Sequence, residues 1–172
     1  VDLVDEGFDV AVRIAALQDS SLIARRLAPI RLAVCASPAY LKQKGEPREP
    51  QDLHAHTCIL NSNMATAQEW KFMGRDGKPL AVKVESKISI NNGDAMRIAA
   101  LGGLGLTILP TFIVGRDLQS GALVSVLSEY LAQPLALHAL YPHARHLSPK
   151  VRAFVDFLAE RFGPRPYWDL VE

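Results

Sequence analysis

Short apolar runs alternate along the chain with segments in which apolar residues recur at helical spacing. The runs predict strands, because they are rich in aliphatic and β-branched residues and are bounded by Gly, Pro or polar clusters. The predicted strands cover residues 8–14, 22–27, 30–36, 57–61, 69–73, 80–90, 105–109, 123–127 and 135–141. Strands that alternate with helices favour an α/β fold.

Capping residues mark the ends of the predicted helices. Ser37-Pro38 and Ser148-Pro149 each place a good N-cap before a proline that suits the first helical turn. The predicted helices cover residues 38–44, 92–101, 110–119 and 149–162, with one helical turn over 50–54, a helix end over 1–6 and an extended tail from 164. In the last helix, Val151, Phe154, Val155, Leu158 and Phe162 form one apolar stripe.

Two strands carry charges in informative places. In residues 10–14, Arg13 interrupts an otherwise apolar run, and a charge on a buried strand needs a partner, water or a ligand. In residues 80–90, Lys and Glu alternate with Val and Ile, which is typical of a half-exposed strand. Pro29 is expected to separate the strands 22–27 and 30–36.

Composition places the chain among ordinary globular proteins. Its 172 residues are 49% hydrophobic and 22% charged, with a net charge of +1. This length suits one domain or two small lobes with a sizeable core. A net charge of +1 is too small for a nucleic-acid-binding surface, in which clustered Lys and Arg would dominate.

The cysteines and the chain start indicate a cytoplasmic protein. Cys35 and Cys58 lie in apolar runs, which predicts two buried, reduced thiols, with a single disulfide as the alternative. No apolar run approaches the roughly 18 residues of a membrane span. The opening VDLVDEGF lacks the pattern of a signal peptide and is expected to be the end of a helix closed by Gly7.

Four phrases together resemble one family, and they occur in the family's order over nearly the whole chain. They are VDLVDEGFDVAVRI, SSLIARRLAPIRLAVCASPAYL, ISINNGDAMRIAALGGLGLTILPTFIV and HLSPKVRAFVDFLAERF. In these phrases the chain is similar to the effector-binding domain of LysR-type transcriptional regulators. The resemblance implies the periplasmic-binding-protein fold of type II, with two α/β lobes joined by two crossing strands and a small-molecule cleft between the lobes.

Carried onto this chain, the resemblance implies lobe I over residues 1–35 and 138–172 and lobe II over 36–137. The crossings are expected near residues 34–37 and 137–141. Compared with the family's pattern, we expect the chain to lack the N-terminal winged helix-turn-helix, the linker helix used for dimerisation, and the first strand, helix and strand of lobe I. It should then reach DNA only through that missing domain, and pairing of such domains predicts a dimer.

Arg13 and its neighbour Ile14 are the effector-binding candidates in lobe I. The resemblance places Arg13 at the cleft-facing end of a strand, where a guanidinium could pair with a carboxylate effector. An ion pair with an acid such as Asp19 is the alternative.

The candidates in lobe II are Asn61, Asn92, Gly93, Asp94, Ala95 and Pro110. The first four residues of the second helix would offer backbone N–H groups to an anion, and the resemblance turns this helix start toward the cleft. Simple capping by Asn92 is the alternative, and Asp94 could repel an anion or bind a donor on it. Pro110 could merely be an N1 proline, and Asn61 could belong to a solvated loop.

Other chemistry finds little support. His54, His56 and Cys58 would share one face of an extended chain, but no second cluster of metal ligands accompanies them. The glycines at 102, 103 and 105 follow a helix and precede a strand, the reverse of a phosphate-binding loop. No nucleophile, base and orienting group assemble, so we expect neither an enzyme nor a cofactor or metal.

These observations predict a regulatory domain that binds a small effector, a carboxylate or another polar metabolite. The rival is a periplasmic solute-binding protein of the same fold, which would need a secretion signal before Val1. Fold alone does not separate the two functions.

Overall fold

A computed structural model describes residues 7–15, 22–64, 66–86, 88–131, 135–142, 148–164 and 166–169. The chain forms two compact units, unit 1 (Val1–Arg31 and Pro134–Glu172) and unit 2 (Leu32–Gln133). The strands are β1 (Ala11–Ala15), β2 (Leu22–Ile30), β3 (Leu32–Ala36), β4 (Cys58–Asn61), β5 (Glu69–Met73), β6 (Pro79–Lys83), β7 (Ile88–Ile90), β8 (Leu106–Pro110), β9 (Val124–Val126) and β10 (Leu135–Pro142). The helices are α1 (Pro38–Lys44), α2 (Gly93–Leu101), α3 (Thr111–Ser120) and α4 (Pro149–Phe162), with 3₁₀ turns at Pro50–Ala55, Ser128–Tyr130 and Tyr167–Asp169.

Unit 1 is an antiparallel sheet in the order β1-β10-β2, with α4 against one face. Val151 and Val155 of α4 are buried against Leu27, Ala139 and Tyr141 of the sheet. The predicted stripe is therefore confirmed at these positions, and Leu158 and Phe162 join it partly buried. Phe154 does not belong to it, since 47% of its surface is exposed.

Pro29 does not end a strand, contrary to the prediction. β2 continues through it, and Pro29 pairs with Ala136 of β10. A proline is tolerated there because β2 is an edge strand, on which a residue lacking an N–H group need not break a ladder. The break between strands falls instead at Arg31.

Unit 2 is built on a five-stranded sheet in the order β7-β4-β8-β3-β9, in which β4 runs parallel to β7 and β8. Both faces are covered, because Ala33 and Cys35 of β3 belong to a core with α2 and α3, whereas Val34 and Ala36 belong to a core on the other side. That second core contains Trp70, Phe72 and Val82 of the β5–β6 hairpin. Burial on both faces explains why these strands read as continuous apolar runs.

The predicted strand 80–90 is two strands in two different sheets. β6 pairs with β5, whereas β7 pairs with β4. Between them, the Ser86 hydroxyl accepts a hydrogen bond from the Ile88 N–H (2.9 Å) and donates one to the Ile88 carbonyl (2.8 Å). A serine that bonds its own backbone two residues on makes a local turn, which interrupts the extended chain.

Other boundaries shift by a few residues. Every residue of β3 pairs within unit 2, and all of β10 pairs with β1 or β2, so the units divide four residues before both predicted lobe boundaries.

The tail is not extended at Tyr167–Asp169, where Trp168 packs on Phe162 with ring centroids 5.5 Å apart. The predicted helix end over residues 1–6 lies outside the described residues.

Candidate functional site

Three strands of unit 2 end at the same edge of their sheet. Because β4 is parallel to both β7 and β8, the strand ends at Asn61, Ile90 and Pro110 lie side by side. α2 and α3 begin just after β7 and β8, so both helix N-termini lie at this edge as well. In open α/β sheets, ligands bind outside the carboxyl ends of the strands. We call the loops and helix starts that follow β4, β7 and β8 the carboxyl edge.

The starts of α2 and α3 are in contact. A Cβ atom added to Gly93 would lie 2.6 Å from Ile113 Cδ1, so the glycine is what lets the two first turns come so close. Further along, Arg97 of α2 donates to both carboxylate oxygens of Asp117 on α3, with Nη2 2.7 Å from Oδ1. These hydrogen bonds raise the pKa of Arg97, and they hold the two helices together below the edge.

Asn92 caps α2, as predicted. Its Oδ1 accepts a hydrogen bond from the Ala95 N–H at 3.0 Å. The cap occupies one backbone donor of the first turn, and the exposed Asp94 carboxylate lies beside it. A ligand contact at Asn92–Ala95 stays a prediction, and an anion arriving here would meet the negative charge of Asp94.

α3 begins differently, because Pro110 is its N-cap and not its first helical residue. A proline side chain has no acceptor, so it cannot cap the N–H groups of the first turn of α3. The helix starts with Thr111, the exposed Phe112 and Ile113. Sequence reasoning singled out Pro110 but did not identify Phe112 and Ile113, whose place at this edge depends on the order of strands in the sheet.

Asn61 ties the loop after β4 to the loop before α2. Its Oδ1 accepts from the Asn63 N–H (3.0 Å), and Asn63 Nδ2 donates to the Asn91 carbonyl (2.7 Å). A groove of about 620 Å³ opens beside this loop, with Leu60, Ser62 and Lys83 among its lining residues. Its volume is in the range of small-molecule sites.

Arg13 and Ile14 lie in unit 1, on β1, and the expectation that their strand is buried is wrong. Arg13 is exposed, and so are 43% of Val12 and 41% of Ile14. The reason is that β1 is an edge strand, and Arg13 lies on the face of the sheet that is turned away from α4. The suggested partner Asp19 lies outside the described residues.

The histidine and cysteine pattern does not form a metal site in the described part of the chain. His54 lies in the 3₁₀ turn and is exposed, so the alternation expected of an extended chain is absent. His56 is buried, with Nδ1 3.2 Å from the Tyr40 hydroxyl, and burial lowers its pKa. Within the described ranges, no group of three His, Cys, Asp or Glu could hold a metal ion. No helix found there is long and apolar enough to cross a membrane.

A sequence profile of the LysR substrate binding domain matches residues 1–163 of the chain. The chain is 39% identical over 151 residues to an uncharacterized HTH-type transcriptional regulator of Haemophilus influenzae, covering 88% of this chain and 52% of that protein. It is 33% identical to the HTH-type transcriptional regulator PtxR of Pseudomonas aeruginosa, covering 96% and 53%. The chain thus spans about half the length of the curated relatives it matches.

Solved structures agree with these sequence matches. The regulatory domain of CrgA, a LysR-type transcriptional regulator from Neisseria meningitidis, is 30% identical with a TM-score of 0.78, covering 93% of this chain and 78% of that one. Full-length AphB, the Vibrio cholerae virulence activator, is 30% identical with a TM-score of 0.79, covering 92% and 54%.

Proposed function

The chain belongs to the family of LysR substrate-binding domains, and we propose that it is the effector-sensing part of a bacterial LysR-type transcriptional regulator. The observation that carries the assignment of a site is the carboxyl edge of unit 2, where the starts of α2 and α3 meet at Gly93 and Ile113. Two adjacent helix N-termini present backbone N–H groups and two positive dipole ends to the same place.

The chemistry of the carboxyl edge favours a small carboxylate or a similarly polar metabolite. The positive dipole end at the start of α3, which follows Pro110, would favour an anion there. Asn61, Asn92, Gly93 and Ala95 would supply polar or backbone contacts. Arg13 and Ile14, on β1 of unit 1, are proposed as effector contacts in their own right.

Effector binding would act by population shift. A ligand that binds one arrangement of the protein more tightly than another moves the equilibrium by no more than its differential affinity. In the proposed regulator this shift changes how paired DNA-binding segments, which lie outside this chain, sit on an operator. We propose that the protein is a cytoplasmic dimer. We also propose that it has no catalytic activity, because no nucleophile, base and orienting group come together among the described residues.

An NMR titration tests the carboxyl edge directly. We expect sodium succinate, used as a carboxylate probe, to shift the backbone amide signals of Gly93–Ala95 and of Thr111–Ile113. Sodium chloride at matched ionic strength is the control, since it screens charge without offering a carboxylate. Succinate shifts that spread over the whole surface, or that chloride reproduces, would remove the edge as a binding site.

Replacing Asp94 by asparagine is expected to strengthen succinate binding at the carboxyl edge by about two- to fivefold, because it removes a like charge from the first turn of α2. Isothermal titration calorimetry measures the change. Glu46→Gln is the matched control, since Glu46 is also exposed but follows α1, away from α2 and α3. If both variants change the affinity equally, only the net charge matters and the ligand does not contact this turn.

A further inference from the structure

Three basic side chains form a row across the sheet of unit 1. His138 on the central strand β10 is directly opposite Arg13 of β1 on one side and Arg26 of β2 on the other. Directly opposite residues of antiparallel strands point to the same face of a sheet. Arg13, His138 and Arg26 therefore lie on one face, and we call them the basic row.

The basic row faces away from α4. Ala139 and Tyr141 of β10 belong to the core with α4, so His138, between them in alternation, points to the other side. Arg25 confirms the assignment, because it forms an ion pair with Asp156 of α4 while its neighbour Arg26 points the opposite way. The two consecutive arginines thus serve different faces.

A β-bulge lies at this place. Leu137 pairs with Ala28 and His138 with Arg26, which leaves Leu27 as an extra residue in β2. Leu27 and Ala28 are both buried. Bulges re-aim side chains and are over-represented next to functional sites. Here the bulge gives Leu27 to the core and keeps Arg26 opposite His138.

His138 is an unusual residue for the centre of such a row. Only 4% of its surface is exposed, and its buried Nδ1 atom has no hydrogen-bond partner among the residues that the structure describes. A buried polar atom without a partner is costly and calls for an explanation, such as a group that binds there. An Nδ1 that carries the ring proton can donate it to an anion.

The flanking arginines suit an oxyanion. Neighbouring strands are about 4.8 Å apart, so the two arginines start about 10 Å apart on either side of the histidine. Side chains of this length can converge over the central strand, and the planar guanidinium matches two oxygens of a carboxylate or phosphate. Arg26 forms none of the ion pairs found between described residues, which leaves its charge for a ligand.

We propose that the basic row binds a small oxyanion, a carboxylate or a phosphate, on the face of the unit 1 sheet that is turned away from α4. The proposal rests on the proposed function only in giving Arg13 a ligand-binding role, and it adds His138 and Arg26 to the site. It requires neither the carboxyl edge of unit 2 nor a regulatory role.

Calorimetry on the protein as its host makes it tests the proposal with two probes, sodium succinate and inorganic phosphate, at ionic strength matched with chloride. We expect at least one probe to bind and Arg26→Gln to weaken it by about tenfold, because a charge-assisted hydrogen bond is lost. Arg25→Gln is the control, since it removes the same charge one residue away on the opposite face, and it should leave the affinity within about twofold. The probe that binds, or the tighter of the two if both bind, identifies the anion as carboxylate or phosphate.

The imidazole NMR signals of His138 give a second readout, which a change in the net charge of the protein would not by itself shift. The bound probe should shift the imidazole ¹⁵N resonances of wild type, and the shift should require about tenfold more probe in Arg26→Gln. Absence of binding by both probes, equal weakening in the two arginine variants, or an unmoved His138 signal would overturn the basic row. If succinate does not shift the amide signals of the carboxyl edge, while the calorimetric and His138 responses are as expected, only the proposed function is contradicted.

Discussion

Gly105→Ala is expected to destabilise unit 2 by about 3 kcal/mol, a large share of the 5–15 kcal/mol that stabilises a typical domain. A Cβ atom at this position would lie 2.4 Å from the Thr57 carbonyl oxygen. That oxygen cannot move aside freely, because it accepts the Leu106 N–H at 2.9 Å at the start of the β4–β8 ladder. Chemical denaturation, followed by circular dichroism, measures the change.

Gly102→Ala is the matched control for Gly105→Ala. It adds the same methyl group three residues earlier, where the nearest atoms are 3.4 and 3.5 Å away and the backbone φ is −72°. We expect its unfolding free energy to stay within about 0.5 kcal/mol of wild type. Equal effects of the two substitutions would show that the contact with Thr57 does not set the cost.

The two cysteines are expected to react with a thiol reagent about a thousandfold more slowly in the folded chain than in the unfolded one. Burial raises the pKa of Cys58 from 9.0 to about 12, and burial together with the charge of Asp117 does the same for Cys35. At neutral pH, a thiol pKa of about 12 in place of 9.0 reduces the reactive thiolate about a thousandfold, before loss of access is counted. Both thiols are free, as the sequence predicted.

Labelling with a disulfide reagent at pH 8, with and without guanidinium, measures this difference. Cys35→Ala and Cys58→Ala each leave one thiol, so the two rates can be read separately. Two thiols should titrate in the unfolded chain. Rapid labelling of either single-cysteine variant under native conditions would contradict the burial of that strand.

Local features of the fold were predictable because their causes lie within a few residues. Ser37 and Asn92 mark their helices by side chains that accept from backbone N–H groups three residues on, and the chain shows both caps. β4 and β8 were recognisable because burial on both faces makes their sequences uniformly apolar.

Features set by distant partners were not predictable. The exposure of Arg13 depends on β1 being an edge strand, which follows from pairing with β10 more than a hundred residues later in the sequence. The same long-range register places His138 between Arg13 and Arg26, and the spacing of these residues in the sequence does not predict this arrangement. The split between β6 and β7 has a local cause in Ser86, but the alternating pattern continues across it and conceals the change of sheet.

The candidate site shows the same division. The residues that open α2 were found from capping chemistry alone, whereas the contact between Gly93 and Ile113 required the order of strands in the sheet. Phe112 and Ile113 were missed because nothing in the sequence shows that the start of α3 lies beside the start of α2.

The intact mass and N-terminal sequence of the protein as its native host makes it test the regulator assignment most directly. Because the chain spans about half of relatives named as HTH-type regulators, we predict an additional N-terminal segment that contains a helix-turn-helix. A secretion signal in that place, or a mature protein without a DNA-binding segment, would contradict the regulator and favour a solute-binding protein of the same fold.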